Sequence, residues 1–243
     1  MGSMNNKLDI IAFGSHPDDV ELGCGGTLLS HIAQGKYVGI VDLTYGELAT
    51  RGTVNIRKKE SAEASRIMGI SIRENMGFAD GFFTNDKTHQ LRIIQILRKY
   101  RPDIVLANAL SDRHPDHSRG GRMVSECCYL SGLRKIKTKL NGKGQEAFAP
   151  RAVYHYEQYR QQKPDIVVDI STFFNKKMEA IKAHKSQFYN PKSKEPQTVI
   201  SAPDFFKLVE AKAISSGKQI GVKYGEGFTA ERFIGTSDLF NLI

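Results

Sequence analysis

Strand-length apolar runs alternate with helix-length segments through the first half of this chain, and that alternation limits the fold more than any other feature. Leu8 to Gly14, Tyr37 to Leu43, Ser71 to Gly77 and Asp103 to Ala107 read as strands. Between them, Gly25 to Lys36, Asn55 to Met68 and Gln90 to Tyr100 carry apolar residues at helical spacing. Gly35 and Gly69 stop the first two helices, and Pro102 resets the chain after the third. Strands joined by helices in this way pair in parallel through right-handed crossovers. The expected class is therefore α/β, a Rossmann-like doubly wound, mostly parallel sheet with helices on both faces. A helix at 119–133, strands at Val153 to Glu157 and Ile166 to Ile170, and helices near 172–187 and 203–217 continue the pattern. Arg134 to Gln145, with five basic and no acidic residues, reads as a solvated loop. With no repeat and no clean linker, one domain is expected over 4–243, and Met1-Gly2-Ser3 reads as an expression scar.

Composition then removes several function classes. Hydrophobic residues make up 40% and charged residues 25%, which excludes a disordered chain. No run of about 18 apolar residues offers a membrane span. The N-terminal residues show no signal pattern, and Cys24, Cys127 and Cys128 form no spaced framework, so a cytoplasmic setting is expected. The net charge of +9 suits a nucleic acid, an anionic metabolite or neither. Nucleic-acid binding would interleave aromatics with basic residues, and Arg134 to Lys143 has none.

Chemistry concentrates at two strand ends. The first strand runs into Ser15-His16-Pro17-Asp18-Asp19 and the fourth into Ser111-Asp112-Arg113-His114-Pro115-Asp116-His117. In a doubly wound sheet these two strands are neighbours across the point where strand order reverses, the place where ligands bind. The topology thus gathers three imidazoles and four carboxylates on two short loops. Mixed imidazole and carboxylate donors without thiolate suit a catalytic divalent ion, zinc or iron(II), and a spare carboxylate can act as base. Adjacent aspartates diverge, so one ligand and one base is the natural division. Alone, the first motif would read as a loop with an aspartate helix cap; a second motif at the matching strand end makes that reading improbable. Cys24-Gly25-Gly26 could mark a phosphate site at a helix N-terminus, but it matches no dinucleotide or Walker pattern, and close backbone packing explains it better. Cys127 and Cys128 read as packing residues. His31 reads as a surface or half-buried residue and His89 as a helix-start residue, while His155 either lines the pocket or packs.

His16-Pro17-Asp18-Asp19 and His114-Pro115-Asp116-His117 resemble the paired motifs of the LmbE-like (PIG-L) metal-dependent N-acetylglucosaminyl deacetylases. Gly46-Glu47-Leu48, Thr50-Arg51-Gly52-Thr53, Arg57, Ala183-His184-Lys185-Ser186-Gln187 and Tyr224-Gly225-Glu226-Gly227-Phe228 extend the resemblance over nearly the whole chain. Within the family, the bacillithiol-pathway branch that deacetylates N-acetylglucosaminyl malate is the most similar. The resemblance implies one divalent metal, zinc or iron(II), on His16, Asp19 and His117, with Asp18 as general base. It implies His114 as oxyanion stabiliser or acid, and Arg57 and Arg113 as holders of anionic substrate groups. Asp112 and Asp116 would orient imidazoles; His184 would support the site or pack in the core; Glu47, Thr50, Asp80, Tyr189 and Tyr224 would line the pocket. The implied partner is a small anionic sugar conjugate, with no nucleic acid or membrane, and assembly into a homo-oligomer. Two other functions compete: hydrolysis of another acylated amino sugar or a phosphoester, and a non-catalytic basic module for nucleic acid.

Overall fold

A computed structural model describes residues 7–160 and 163–242; Met1-Gly2-Ser3 lies outside them. The elements run β1 (Ile10–Gly14), α1 (Asp19–Ala33), β2 (Val38–Thr44), α2 (Val54–Met68), β3 (Ile72–Phe78), α3 (Lys87–Tyr100), β4 (Ile104–Ala107) and α4 (Pro115–Leu130). There follow β5 (Lys139–Leu140), β6 (Lys143–Gly144), β7 (Ala152–Tyr156), β8 (Ile166–Asp169), α5 (Phe174–Ala183), α6 (Phe205–Gln219) and β9 (Gly225–Ala230). The main sheet has the order β3-β2-β1-β4-β7-β9-β8. β3, β2, β1, β4 and β7 are parallel, with Ile10 opposite Val38 on one side and Ile104 on the other. β9 runs antiparallel between β7 and β8.

The reversal of strand order fixes where the helices go. Stepping outward from β1 to β2 to β3 by right-handed crossovers puts α1 and α2 on one face; returning to β4 on the other side puts α3 on the opposite face. The core records this. Ile10, Ala12, Val38 and Ile40 pack with Val20, Leu28 and Met68 of α1 and α2. Their strand neighbours Ile11, Phe13, Val41 and Leu43 pack with Ile93, Ile94, Leu97 and Met123 of α3 and α4. Alternation with period two is thus present, but both faces are apolar, as a sheet covered twice requires. Each such buried valine, leucine, isoleucine, phenylalanine or methionine contributes about 1.5–3 kcal/mol. The three cysteines are free and buried.

Three local structures depart from the sequence expectation. α1 begins at Asp19, the last residue of the first motif, rather than at Gly25; its backbone leaves helical geometry at Cys24 (φ −142°, ψ 17°), so it consists of two segments. The second segment opens on Gly26 and Thr27, whose N–H groups donate to the Glu226 carboxylate of β9 at 2.9 and 2.7 Å. An internal anion therefore fills the helix N-terminus where a phosphate could have bound. α4 likewise starts early, with Pro115 in its first turn. Arg134 to Gln145 is not all loop: β5 and β6 form a hairpin around Asn141-Gly142, both at positive φ. Among the described residues no helix is long and apolar enough to cross a membrane.

Candidate active site

The ends of β1 and β4 bring the two histidine motifs together. The rings of His16, His114 and His117 lie with centroids 4.6, 4.8 and 5.4 Å apart, and each offers a nitrogen within 4.8 Å of the others. Asp19 sits between His16 and His117. Its Oδ1 is 3.1 Å from His117 Nε2 and its Oδ2 is 3.6 Å from His16 Nδ1. The Asp19 carboxylate is itself fixed by N–H donation from His16 N, Asn108 Nδ2 and Gln158 Nε2.

The remote nitrogens of the two outer histidines are held by carboxylates. His16 Nε2 is 3.0 Å from Asp80 Oδ1 and 3.4 Å from Asp116 Oδ2. His117 Nδ1 is 2.6 Å from Asp112 Oδ2. Each of these carboxylates is anchored in turn: Asp80 by Leu48 N–H, Asp116 by Gly81 N–H and Arg119, Asp112 by Arg160 N–H. Burial opposes charge on His16, yet the carboxylates of Asp116, Asp19 and Asp80 carry its pKa well above the usual histidine value. Burial opposes charge on His117 too, and Asp19 and Asp112 bring it to about 9.

His114 differs. Its Nδ1 accepts the Asp116 backbone N–H at 3.3 Å, and burial, with its charged histidine neighbours, lowers its pKa. A neutral imidazole that accepts at Nδ1 carries its proton at Nε2, so His114 presents a donor.

Asp18 adjoins this cluster on a backbone at φ 113°, ψ −24°, in the left-handed region that a non-glycine residue enters at a cost of about 1–3 kcal/mol. Its side chain makes no helix cap. Burial raises the carboxyl to about 6, with the Arg57 guanidinium pulling the other way. Arg57 lies 3.5 Å from Asp18 Oδ2 and donates to Pro17 O at 2.5 Å and Gly46 O at 3.1 Å. Gly46, at φ 64°, is required there, because a Cβ would stand 1.7 Å from Arg57 Nη1.

The structure thus gathers His16, Asp18, Asp19, Asp112, His114, Asp116, His117 and Asp80. Arg57 joins them; its terminal nitrogens hold Pro17 O and Gly46 O beside Asp18, while its buried Nε has no hydrogen-bond partner among the described residues. Arg113 is exposed at the rim, stacked on Tyr159. Glu47 accepts the Asp80 backbone N–H and so supports His16 from a distance. His184 is fully buried, 3.1 Å from Glu21 Oε1, in a network with Arg73 and Asp42 beneath α1. Thr50 and Tyr189 are exposed, and Tyr224 is not brought to the pocket: it stacks on Phe174 in the core, 3.8 Å between centroids. His31 bonds to Thr27 O, His89 to Asp86 at the start of α3, and His155 is buried between Asn108 O and Glu231. Sequence reasoning missed Asn108 and Gln158, which position Asp19. Their signal was placement, since each follows directly on or within two residues of a strand ending in the same crevice, β4 and β7.

The donor set fits a divalent ion. Two imidazoles held at their far nitrogens by carboxylates turn their near nitrogens toward one carboxylate, the arrangement that fixes metal-binding tautomers.

A doubly wound sheet with such a centre at its switch point, and a raised carboxyl beside it, defines a metal-assisted hydrolytic class of protein. Residues 11–128, which contain both histidine motifs, match the PIG-L family, GlcNAc-PI de-N-acetylase. The conserved protein TT1542 from Thermus thermophilus superposes with a TM-score of 0.84, is 36% identical, and shares 94% of this chain and 97% of its own. Diacetylchitobiose deacetylase of Thermococcus kodakarensis is 28% identical over 92% of this chain and 83% of its own. A protein of Bacillus anthracis named "Probable N-acetyl-alpha-D-glucosaminyl L-malate deacetylase 2" is 27% identical over 76% of this chain and 84% of its own. The chain belongs to the PIG-L (LmbE-like) family of deacetylases acting on N-acetylated sugar conjugates.

Proposed function

We propose that this protein removes the acetyl group from a small N-acetylglucosamine conjugate, N-acetylglucosaminyl malate being the substrate we favour, with a zinc or iron(II) ion held by His16, Asp19 and His117. The observation that carries the reading is the bridging of two carboxylate-held imidazoles by Asp19, with the Asp18 carboxyl buried alongside. A bound ion would supply Lewis acidity toward the acetyl carbonyl and lower the pKa of water. Asp18, at about 6, is matched to take a proton from the attacking water near neutrality and return it to the departing sugar amine. His114, protonated at Nε2, donates to the oxyanion that develops as water adds to the carbonyl carbon. The products are acetate and a free glucosamine amine.

The malate preference rests on the Bacillus relative and on cations at the rim of the site. The test is acetate release from N-acetylglucosaminyl malate before and after chelation. Chelation should abolish turnover, and zinc or iron(II) should restore it. Asp18→Ala should retain metal and lose about 10²–10⁴-fold in kcat. A metal-loaded Asp18→Ala protein with near wild-type kcat overturns the assignment of the base.

A further inference from the structure

Two cations at the mouth of the site have no carboxylate within ion-pair distance among the described residues. Arg113, between β4 and α4, holds its guanidinium carbon 4.8 Å from the centre of the Tyr159 ring. Lys212, on α6, holds its Nζ 5.6 Å from the same centre. The Lys212 ammonium donates to the backbone carbonyls of Gln158 and Tyr159, the latter at 2.6 Å. Two of its three N–H groups are thereby used and one is left to give. Tyr159 is 43% exposed, so this platform faces outward.

The platform is bolted to the reaction centre. Gln158 donates from its side chain to Asp19 Oδ1, and the Arg160 N–H donates to Asp112, the carboxylate on His117. Segment 158–160 therefore carries the cations at a fixed offset from the metal-binding side chains. Burial lowers the Lys212 pKa, and the nearby charges of Glu157 and Asp112 only partly offset it. Two like charges beside one ring, one of them half-buried, form an arrangement that an incoming anion relieves.

We propose that Arg113 and Lys212, bracketing Tyr159, form the subsite for a carboxylate on the aglycone of the substrate. The inference rests on the deacetylase reading above and gives that substrate its charge. It also reassigns the clamp: the sequence pairs Arg113 with Arg57, but Arg57 is committed to Pro17, Gly46 and Asp18, and Lys212 supplies the second cation. Arg113 brings a planar fork that meets a carboxylate bidentately, and Lys212 a point charge held in place by two carbonyls.

The experiment compares kcat/KM for N-acetylglucosaminyl malate and for the neutral methyl glycoside of N-acetylglucosamine, in metal-loaded protein. The ratio of the two should exceed one for the wild type and fall about tenfold in Lys212→Met and in Arg113→Met, through KM of the malate conjugate rather than its kcat. Lys212→Arg should recover most of the ratio, and Lys207→Met, on the exposed face of the same helix, should keep it. Rising salt should raise KM for the malate conjugate and spare the neutral glycoside. Loss of the Gln158 anchor would slow both substrates together, which the ratio ignores, and Arg113→Met carries no such anchor. Turnover of both substrates with an unchanged ratio in the two methionine variants overturns the subsite and leaves the deacetylase reading standing. No acetate from either substrate overturns both.

Discussion

Replacing Asp18 with glycine should give a more stable protein than replacing it with alanine, while either change removes the activity. The residue holds φ 113°, ψ −24°, and releasing a non-glycine side chain from such a conformation is worth about 1–3 kcal/mol. Glycine gives back about 0.5–1 kcal/mol through the greater freedom of its unfolded chain. Asp18→Gly should therefore exceed Asp18→Ala by up to about 2.5 kcal/mol, since alanine keeps the strain while also lacking the carboxylate. For a domain of this size that is a gap of up to about 10 °C in Tm. The carboxylate adds a second difference from the wild type. Its pKa rises on folding from the ordinary 3.8 to about 6, so its contribution to stability is full below about pH 4 and is lost as pH climbs through 6. Both variants should gain on the wild type over that interval. The assay is thermal unfolding of metal-free protein by circular dichroism at pH 4, 6 and 7.5, with acetate release measured after metal loading. Asp18→Gly melting no higher than Asp18→Ala would refute the strain argument, and retained turnover would refute the role of the carboxylate.

Other expectations follow from the same geometry. Glu226→Gln should cost about 3–5 kcal/mol, because the buried Lys177 ammonium, 2.6 Å from Glu226 Oε1, would lose its counter-charge and the amide NH2 would face the Thr27 N–H where an acceptor now stands; a denaturant midpoint close to wild type would contradict this. Asp112→Asn should weaken metal binding about 10–100-fold when read by chelator competition at or above pH 9. The deficit should shrink toward pH 6, since the same carboxylate also helps to hold the His117 proton. An unchanged affinity at high pH in folded protein would remove His117 from the ligand set.

The parallel half of the fold and the histidine cluster were readable because their causes are local or topological. Apolar runs such as Ile10 to Phe13 announce buried strands, and His16 and His117 follow strands that right-handed crossovers must make neighbours. β9 was not readable as a strand. Gly225-Glu226-Gly227 is poor in apolar and branched residues, and its place in the sheet depends on long-range partners: Gly225 packs tightly on Gly217 and Val167, and Glu226 binds the start of a helix 200 residues earlier. The early start of α1 was hidden for a related reason, since glycines at 23, 25 and 26 dilute the helical pattern. Gly23 is there because a Cβ would stand 2.1 Å from Tyr156. Arg57 shows the limit of reading charge from sequence. The guanidinium was legible, but its commitment to two carbonyls and Asp18 was not.

The antiparallel insertion of β9 also sets the order in which the protein can become competent during synthesis. Both histidine motifs leave the ribosome before Gln158, which steadies Asp19, and before Glu226, which completes α1 behind the first of them. β8 cannot join the sheet until β9 is available to lie between it and β7. A nascent chain would thus carry both histidine motifs before Gln158 and Glu226 had been made. The side chains and backbone groups that hold the cluster come from distant parts of the chain, so its final geometry belongs to the folded whole.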